Sequence, residues 1–117
     1  MPIEHLLAVV PVADIDRARA WYERLLGREP DNRPMDGLME WRVTDTGWLQ
    51  LTQDTDRAGT ALLNLAVEDL GQHLDELRSR DLDPTDVHEV TKGVELSSLS
   101  DPDGNQITLI GNFRTVY

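Results

Sequence analysis

Leu6-Leu7-Ala8-Val9-Val10-Pro11-Val12-Ala13-Asp14 runs directly into an amphipathic segment, Ile15 to Leu26. Leu62-Leu63-Asn64-Leu65-Ala66-Val67-Glu68-Asp69 then runs into a second, Leu70 to Leu77. Each copy is a short apolar run, a Val-x-Asp turn and a helical stripe. Val12 and Asp14 match Val67 and Asp69 at one offset of 55 positions, nearly half the chain. Self-similarity at a fixed period marks a supersecondary unit used twice. The cleft between two such units is the default place to look for function.

Working outward, Asp14 is an N-cap whose carboxylate accepts the free N–H groups of a first helical turn. Ile15, Ala18, Tyr22 and Leu25 or Leu26 follow at helical spacing, and Gly27 supplies the stop. Trp21 and Tyr22 are neighbours, and the stripe favours Tyr22 for the inward place. Residues 28–37 are turn-rich, and 38–44 with 48–53 form a hairpin around Asp45-Thr46-Gly47. Gln53 to Thr60 is the polar linker. In the second half Asp69 caps a helix with Leu70, Leu74 and Leu77 on one face, and Asp83-Pro84 ends it. Strands follow near 85–91, 93–99 and 105–111. Pro102 and Gly104 suit the turn Asp101-Pro102-Asp103-Gly104-Asn105 between the last two. The expected fold is α+β: one domain over 1–117, with βαβββ modules at 1–54 and 61–113. They form a cupped, mostly antiparallel sheet with helices outside.

The 117 residues suffice for one core without staples, and the absence of cysteine excludes disulfides and thiolate chemistry. No apolar run reaches the roughly 18–20 residues of a membrane span. Met1-Pro2-Ile3-Glu4-His5 lacks the basic region of a signal peptide, so a cytoplasmic location is expected. The 22 acidic residues against 11 basic give a formal charge of −11. That balance repels nucleic acid and anionic membrane and favours cationic ligands.

Two stretches carry a family resemblance. Val12-Ala13-Asp14 through Trp21-Tyr22-Glu23-Arg24-Leu25-Leu26-Gly27 resembles the opening of the vicinal oxygen chelate superfamily. Asp101-Pro102-Asp103-Gly104-Asn105-Gln106-Ile107-Thr108-Leu109 resembles its ending. The group includes glyoxalase I, extradiol dioxygenases and bleomycin resistance proteins. The resemblance implies paired βαβββ modules, frequent dimers, and in some members a cavity shared by two chains. It also implies a divalent metal on the sheet's concave face, held by His and Glu from four strand positions. Those positions are Leu7, Gln50, Leu62 and Thr108 here. Two apolar groups, an amide and a hydroxyl cannot replace imidazoles and carboxylates, so neither metal nor other cofactor is expected.

Strand alternation sorts the remaining residues by face. His5, Leu7 and Val9, then Trp48, Gln50 and Thr52, fall on the cavity side. So do Leu62, Asn64 and Ala66, and Gln106, Thr108 and Ile110. Leu49, Leu51, Leu63, Leu65, Ile107 and Leu109 fall toward the helices. Trp41, from the neighbouring strand, is placed with the lining. His5, Leu7, Trp41, Trp48, Gln50, Leu62, Asn64, Gln106 and Thr108 are thus the candidate ligand-binding residues. Tryptophan faces suit a planar or cationic ligand. Arg42 pairs with a ligand carboxylate or with a neighbouring Glu. Glu40 and Glu95, in strands, are the candidate general bases.

The sequence therefore reads as a metal-independent binding protein of the bleomycin-resistance type, working as a homodimer on a small cationic or aromatic molecule. The alternative is a lyase, isomerase or dioxygenase with a displaced metal site built from His5, Glu95 or His88, or a metal-free catalyst. His73 is expected on a solvent face.

Overall fold

A computed structural model of the chain describes residues 2–117. Its order is β1 (Leu6–Val12), α1 (Ile15–Leu26), β2 (Asn32–Met35), β3 (Leu38–Arg42) and β4 (Gly47–Gln53). The second half follows with β5 (Leu62–Val67), α2 (Leu70–Ser79), β6 (His88–Thr91), β7 (Val94–Ser100) and β8 (Gln106–Gly111). This is βαβββ twice. Each module closes its own four-stranded sheet, ordered β1-β4-β3-β2 and β5-β8-β7-β6. In each sheet the first strand pairs in parallel with the last, and the other pairings are antiparallel. Hydrogen bonding does not run on from β1 to β5, so both are edge strands and a seam separates the modules.

The helix boundaries follow from local chemistry. Asp14 Oδ1 accepts the backbone N–H groups of Asp16 at 3.1 Å and Arg17 at 3.2 Å. Gly27 ends α1 in the left-handed region at φ 76°, where a Cβ would be strained. Asp69 caps α2 in the same way through Gln72. Ile15, Ala18, Tyr22 and Leu25 are buried as the stripe requires. Trp21 is buried as well, its ring centroid 4.9 Å from that of Tyr22 in an edge-on arrangement. The helices cover one face of each sheet, burying Val10, Val12, Leu49, Leu51, Leu63, Ile107 and Leu109 with α1 and α2 in one core. Each large aliphatic side chain so buried contributes about 1.5–3 kcal/mol.

The segment 28–37 is not all turn: Asn32–Met35 forms β2, a fully exposed edge strand beside β3. No helix among the described residues is long and apolar enough to cross a membrane.

Candidate functional site

The face turned away from the helices is built in rows by strand register. In the first module Leu7 lies beside Trp48, and Trp48 opposite Arg42. The next row is Val9, Gln50, Glu40 and Asn32. In the second module Leu62 lies beside Gln106, Asn64 beside Thr108, and Ala66 beside Ile110. The structure thus puts Leu7, Trp48 and Gln50 on one sheet, with His5 just before β1, and Leu62, Asn64, Gln106 and Thr108 on the other. The two sheets are hydrogen-bonded separately.

Polar contacts fix the first face. The Trp48 indole N–H donates to His5 Nδ1 at 3.1 Å, and the rings meet edge-on at 6.2 Å. The Arg42 guanidinium stands 5.8 Å over the Trp48 ring, so one indole face already holds a cation. Asp31 accepts the Arg42 backbone N–H at 2.7 Å and an Arg28 N–H at 2.9 Å. Those bonds, the Arg42 one foremost, hold its carboxyl below the usual carboxylate range. Glu40 accepts from Gln50 Nε2 at 2.7 Å and from Asn32 Nδ2 at 3.3 Å. Both partners are neutral, and Glu40 forms no ion pair among the described residues.

Three expectations need correcting. Trp41 does not line an open face. It is 0% exposed, with its ring 6.4 Å from Tyr22 and its N–H donated to the Arg28 carbonyl. The reason is register: Trp41 pairs with Leu49, which faces the helices. The displaced set of His5, Glu95 and His88 does not share a face either. His88 lies opposite Leu96 on the open side, while Glu95 lies opposite Gly111 on the helix side. His73 is half-buried rather than solvent-facing, and its desolvation lowers its pKa.

The closing turn carries a role the sequence did not reveal. Asp101 and Asn105 are buried polar residues. Asp101 Oδ2 accepts the Tyr22 hydroxyl at 2.7 Å and an Asn105 Nδ2 hydrogen at 2.8 Å. Asn105 Nδ2 also donates to the Pro11 carbonyl at 2.8 Å, and Asn105 Oδ1 accepts from the Ala61 N–H at 2.9 Å. The turn is therefore a latch that ties the first module to the second. Burial, aided by the bond to Asp101, pushes the Tyr22 phenol well above its ordinary pKa. The available signal was an aspartate and an asparagine bracketing Pro102-Asp103-Gly104, together with a tyrosine in the α1 stripe.

The duplicated modules, the caps and the latch together set the chain's relationships. The model of the Glyoxalase/Bleomycin resistance protein/Dioxygenase superfamily matches residues 3–109. The chain belongs to this superfamily. A glyoxalase/bleomycin resistance protein from Catenulispora acidiphila DSM 44928 is 32% identical, over 92% of this chain and 96% of that one, with a TM-score of 0.85. TnmS3, an antibiotic binding protein from Streptomyces sp. CB03234, is 24% identical over 95% and 98%, with a TM-score of 0.78. Lactoylglutathione lyase from Agrobacterium tumefaciens, at 16% identity over 96% of each chain and a TM-score of 0.75, shares the fold. No curated protein matches.

For a superfamily chain the four strand positions decide whether the group's metal fits. Leu7 and Leu62 present hydrocarbon, Gln50 gives its amide hydrogen to Glu40, and Thr108 offers a neutral hydroxyl. Among the described residues no three His, Asp or Glu side chains cluster closely enough to hold an ion. The donor set does not fit a divalent transition metal.

Proposed function

We propose that this superfamily member is a metal-independent small-molecule binding protein that sequesters a planar, cationic or amphipathic compound without altering it. The observation that carries the reading is the donor set: Leu7, Gln50, Leu62 and Thr108 replace the four positions from which relatives hold a metal. The ligand is placed on the open sheet faces. Trp48 offers the indole face not taken by Arg42 for stacking. Glu40, held by neutral amides on the same face, is the counter-charge for a cation. Gln50, Asn64 and Thr108 supply hydrogen bonds. The name of TnmS3 as an antibiotic binding protein supports this class of cargo.

The working unit of this proposal is a homodimer. Leu7, Val9 and Leu62 stand on the open faces at 43, 54 and 80% exposure. Clustered exposed apolar residues mark surfaces covered by a partner, and the uncovered edges of β1 and β5 add unpaired backbone groups. A second copy covers both and closes the ligand cavity between chains.

The test is a tryptophan fluorescence titration with a panel of planar cationic antibiotics, followed by mass spectrometry of the recovered compound. Saturable binding with the compound recovered unchanged supports sequestration. A mass change that depends on the protein makes the chain an enzyme.

A further inference from the structure

The seam between the modules is closed differently at its two ends. Register sets the correspondence: Leu7 lies beside Trp48 as Leu62 lies beside Gln106. Residues of β1 and α1 therefore match those 55 positions on, and residues of β3 and β4 match those 58 positions on. Asp101 and Asn105 of the latch then correspond to Val43 and Gly47, and Tyr22 corresponds to Leu77. An isopropyl group, a hydrogen and an isobutyl group cannot make the bonds that the latch makes. At that end, which lacks the latch and is bridged only by Arg80 to the carbonyls of Arg24 and Leu25, a cavity of about 710 Å³ opens. It lies between the 43–46 turn, the end of β5, the C-terminal end of α1, and α2.

The chemistry of this cavity opposes that of the whole protein. Leu25, Leu49, Leu63 and Leu65 give it an apolar floor. Arg28, Arg42 and Arg80 line it against a single carboxylate, Glu76. Three of the chain's 11 basic residues therefore share its lining with one of the 22 acidic ones, and of the three Arg28 is already paired with Asp31. Desolvation lowers the pKa of His73, which favours its neutral form. Among the described residues the guanidinium groups of Arg42 and Arg80 form no ion pair, although the Asp31 carboxylate holds the Arg42 backbone N–H. Each is aimed instead by main-chain carbonyls: Arg42 Nε donates to Asp45 at 2.9 Å, and Arg80 Nε to Arg24 at 2.6 Å. These bonds hold the guanidinium planes and leave Nη1 of each without a partner among the described residues. A fixed guanidinium beside an apolar floor is the arrangement that receives a carboxylate attached to a hydrocarbon or aromatic body.

We propose that the unlatched end of the seam is a second binding site, for an amphipathic carboxylate whose apolar body lies on the leucine floor and whose anion meets Arg42 and Arg80. The site goes beyond the reading of the open faces, although Trp48 and Asn64 line its edge and Arg42 stands over Trp48. It prefers the opposite charge and does not use Glu40.

The experiment is isothermal titration calorimetry with decanoate and, as a matched cation, decylammonium. Decanoate binds with one-to-one stoichiometry per chain. Arg42→Gln weakens it roughly tenfold, the loss of one charge-assisted hydrogen bond. Glu76→Gln strengthens it several-fold. Glu40→Gln, on the open face, lowers affinity for planar cations and does not weaken decanoate. Arg80→Gln repeats the Arg42→Gln test at a second position, with circular dichroism melts showing that each variant folds. Decylammonium binding as tight as decanoate, an Arg42→Gln affinity equal to wild type, or loss of decanoate binding in Glu40→Gln would each overturn the site. Failure of planar cations to bind would strike the open-face reading alone.

Discussion

Tyr22 and Asp101 are 79 positions apart in sequence, yet a hydroxyl–carboxylate bond of 2.7 Å joins them inside the core. A buried hydrogen bond to a charged group is worth about 1.5–3 kcal/mol, and removing one partner strands the other. Tyr22→Phe is therefore expected to cost about 2 kcal/mol in urea unfolding. Asn105→Ala removes an amide bonded to Pro11, Ala61 and Asp101, and is expected to cost at least as much. The tyrosine also predicts a pH effect. Its folded pKa lies above its unfolded value of about 10, so above that pH the unfolded chain releases a proton that the folded chain keeps. The stabilisation is complete below about pH 10 and falls above it, by at most about 1.4 kcal/mol per pH unit. Tyr22→Phe should lack this component of the alkaline loss, as denaturant melts between pH 9 and 11 would show. On the open face, Trp48→Ala should weaken a bound planar cation by about tenfold, since a stacking or cation–π contact is worth roughly 0.5–2 kcal/mol. An unchanged affinity would remove Trp48 from the site.

At the scale of elements, the helices were the most legible part of the chain. Asp14 and Gly27 mark both ends of α1 through hydrogen bonds within a few residues, and local chemistry of that kind is written in sequence. Asp14→Ala is expected to destabilise the fold by about 1 kcal/mol, read as a lower urea midpoint, because it frees two first-turn N–H groups. The inner strands were legible for a related reason. A one-residue slip would exchange Leu49 and Leu51 with Trp48 and Gln50, so burial fixes the face. β2 was hidden because Asn32-Arg33-Pro34-Met35 is exposed throughout and shows no alternation. Trp41 was misplaced because its face depends on pairing with Leu49 across the 43–46 turn. Tryptophan's character does not reveal that register. The latch stayed hidden for the same reason: its partners lie up to 94 positions away, and only assembly of the two modules brings them together.

At the scale of the whole molecule, duplication produces two sheets, one shared core and one seam. The seam carries the buried Asp101–Asn105 latch at one end and arginine-to-carbonyl bonds beside a cavity at the other. The modules differ where their turns differ: Asp101 and Asn105 stand in one, Val43 and Gly47 in the other. The exposed Leu7, Val9 and Leu62 predict that sedimentation at micromolar concentration finds a dimer. A charged substitution such as Leu62→Arg, at a side chain that is 80% exposed in the single chain, should shift it toward monomer without unfolding it. The central claim is that this superfamily fold works here without its metal, because Leu7, Gln50, Leu62 and Thr108 cannot hold one. The most direct test is the metal content of protein purified without a histidine tag, measured by inductively coupled plasma mass spectrometry. The account predicts far less than one transition-metal ion per chain; about one Zn²⁺, Ni²⁺, Mn²⁺ or Fe²⁺ per chain would contradict it.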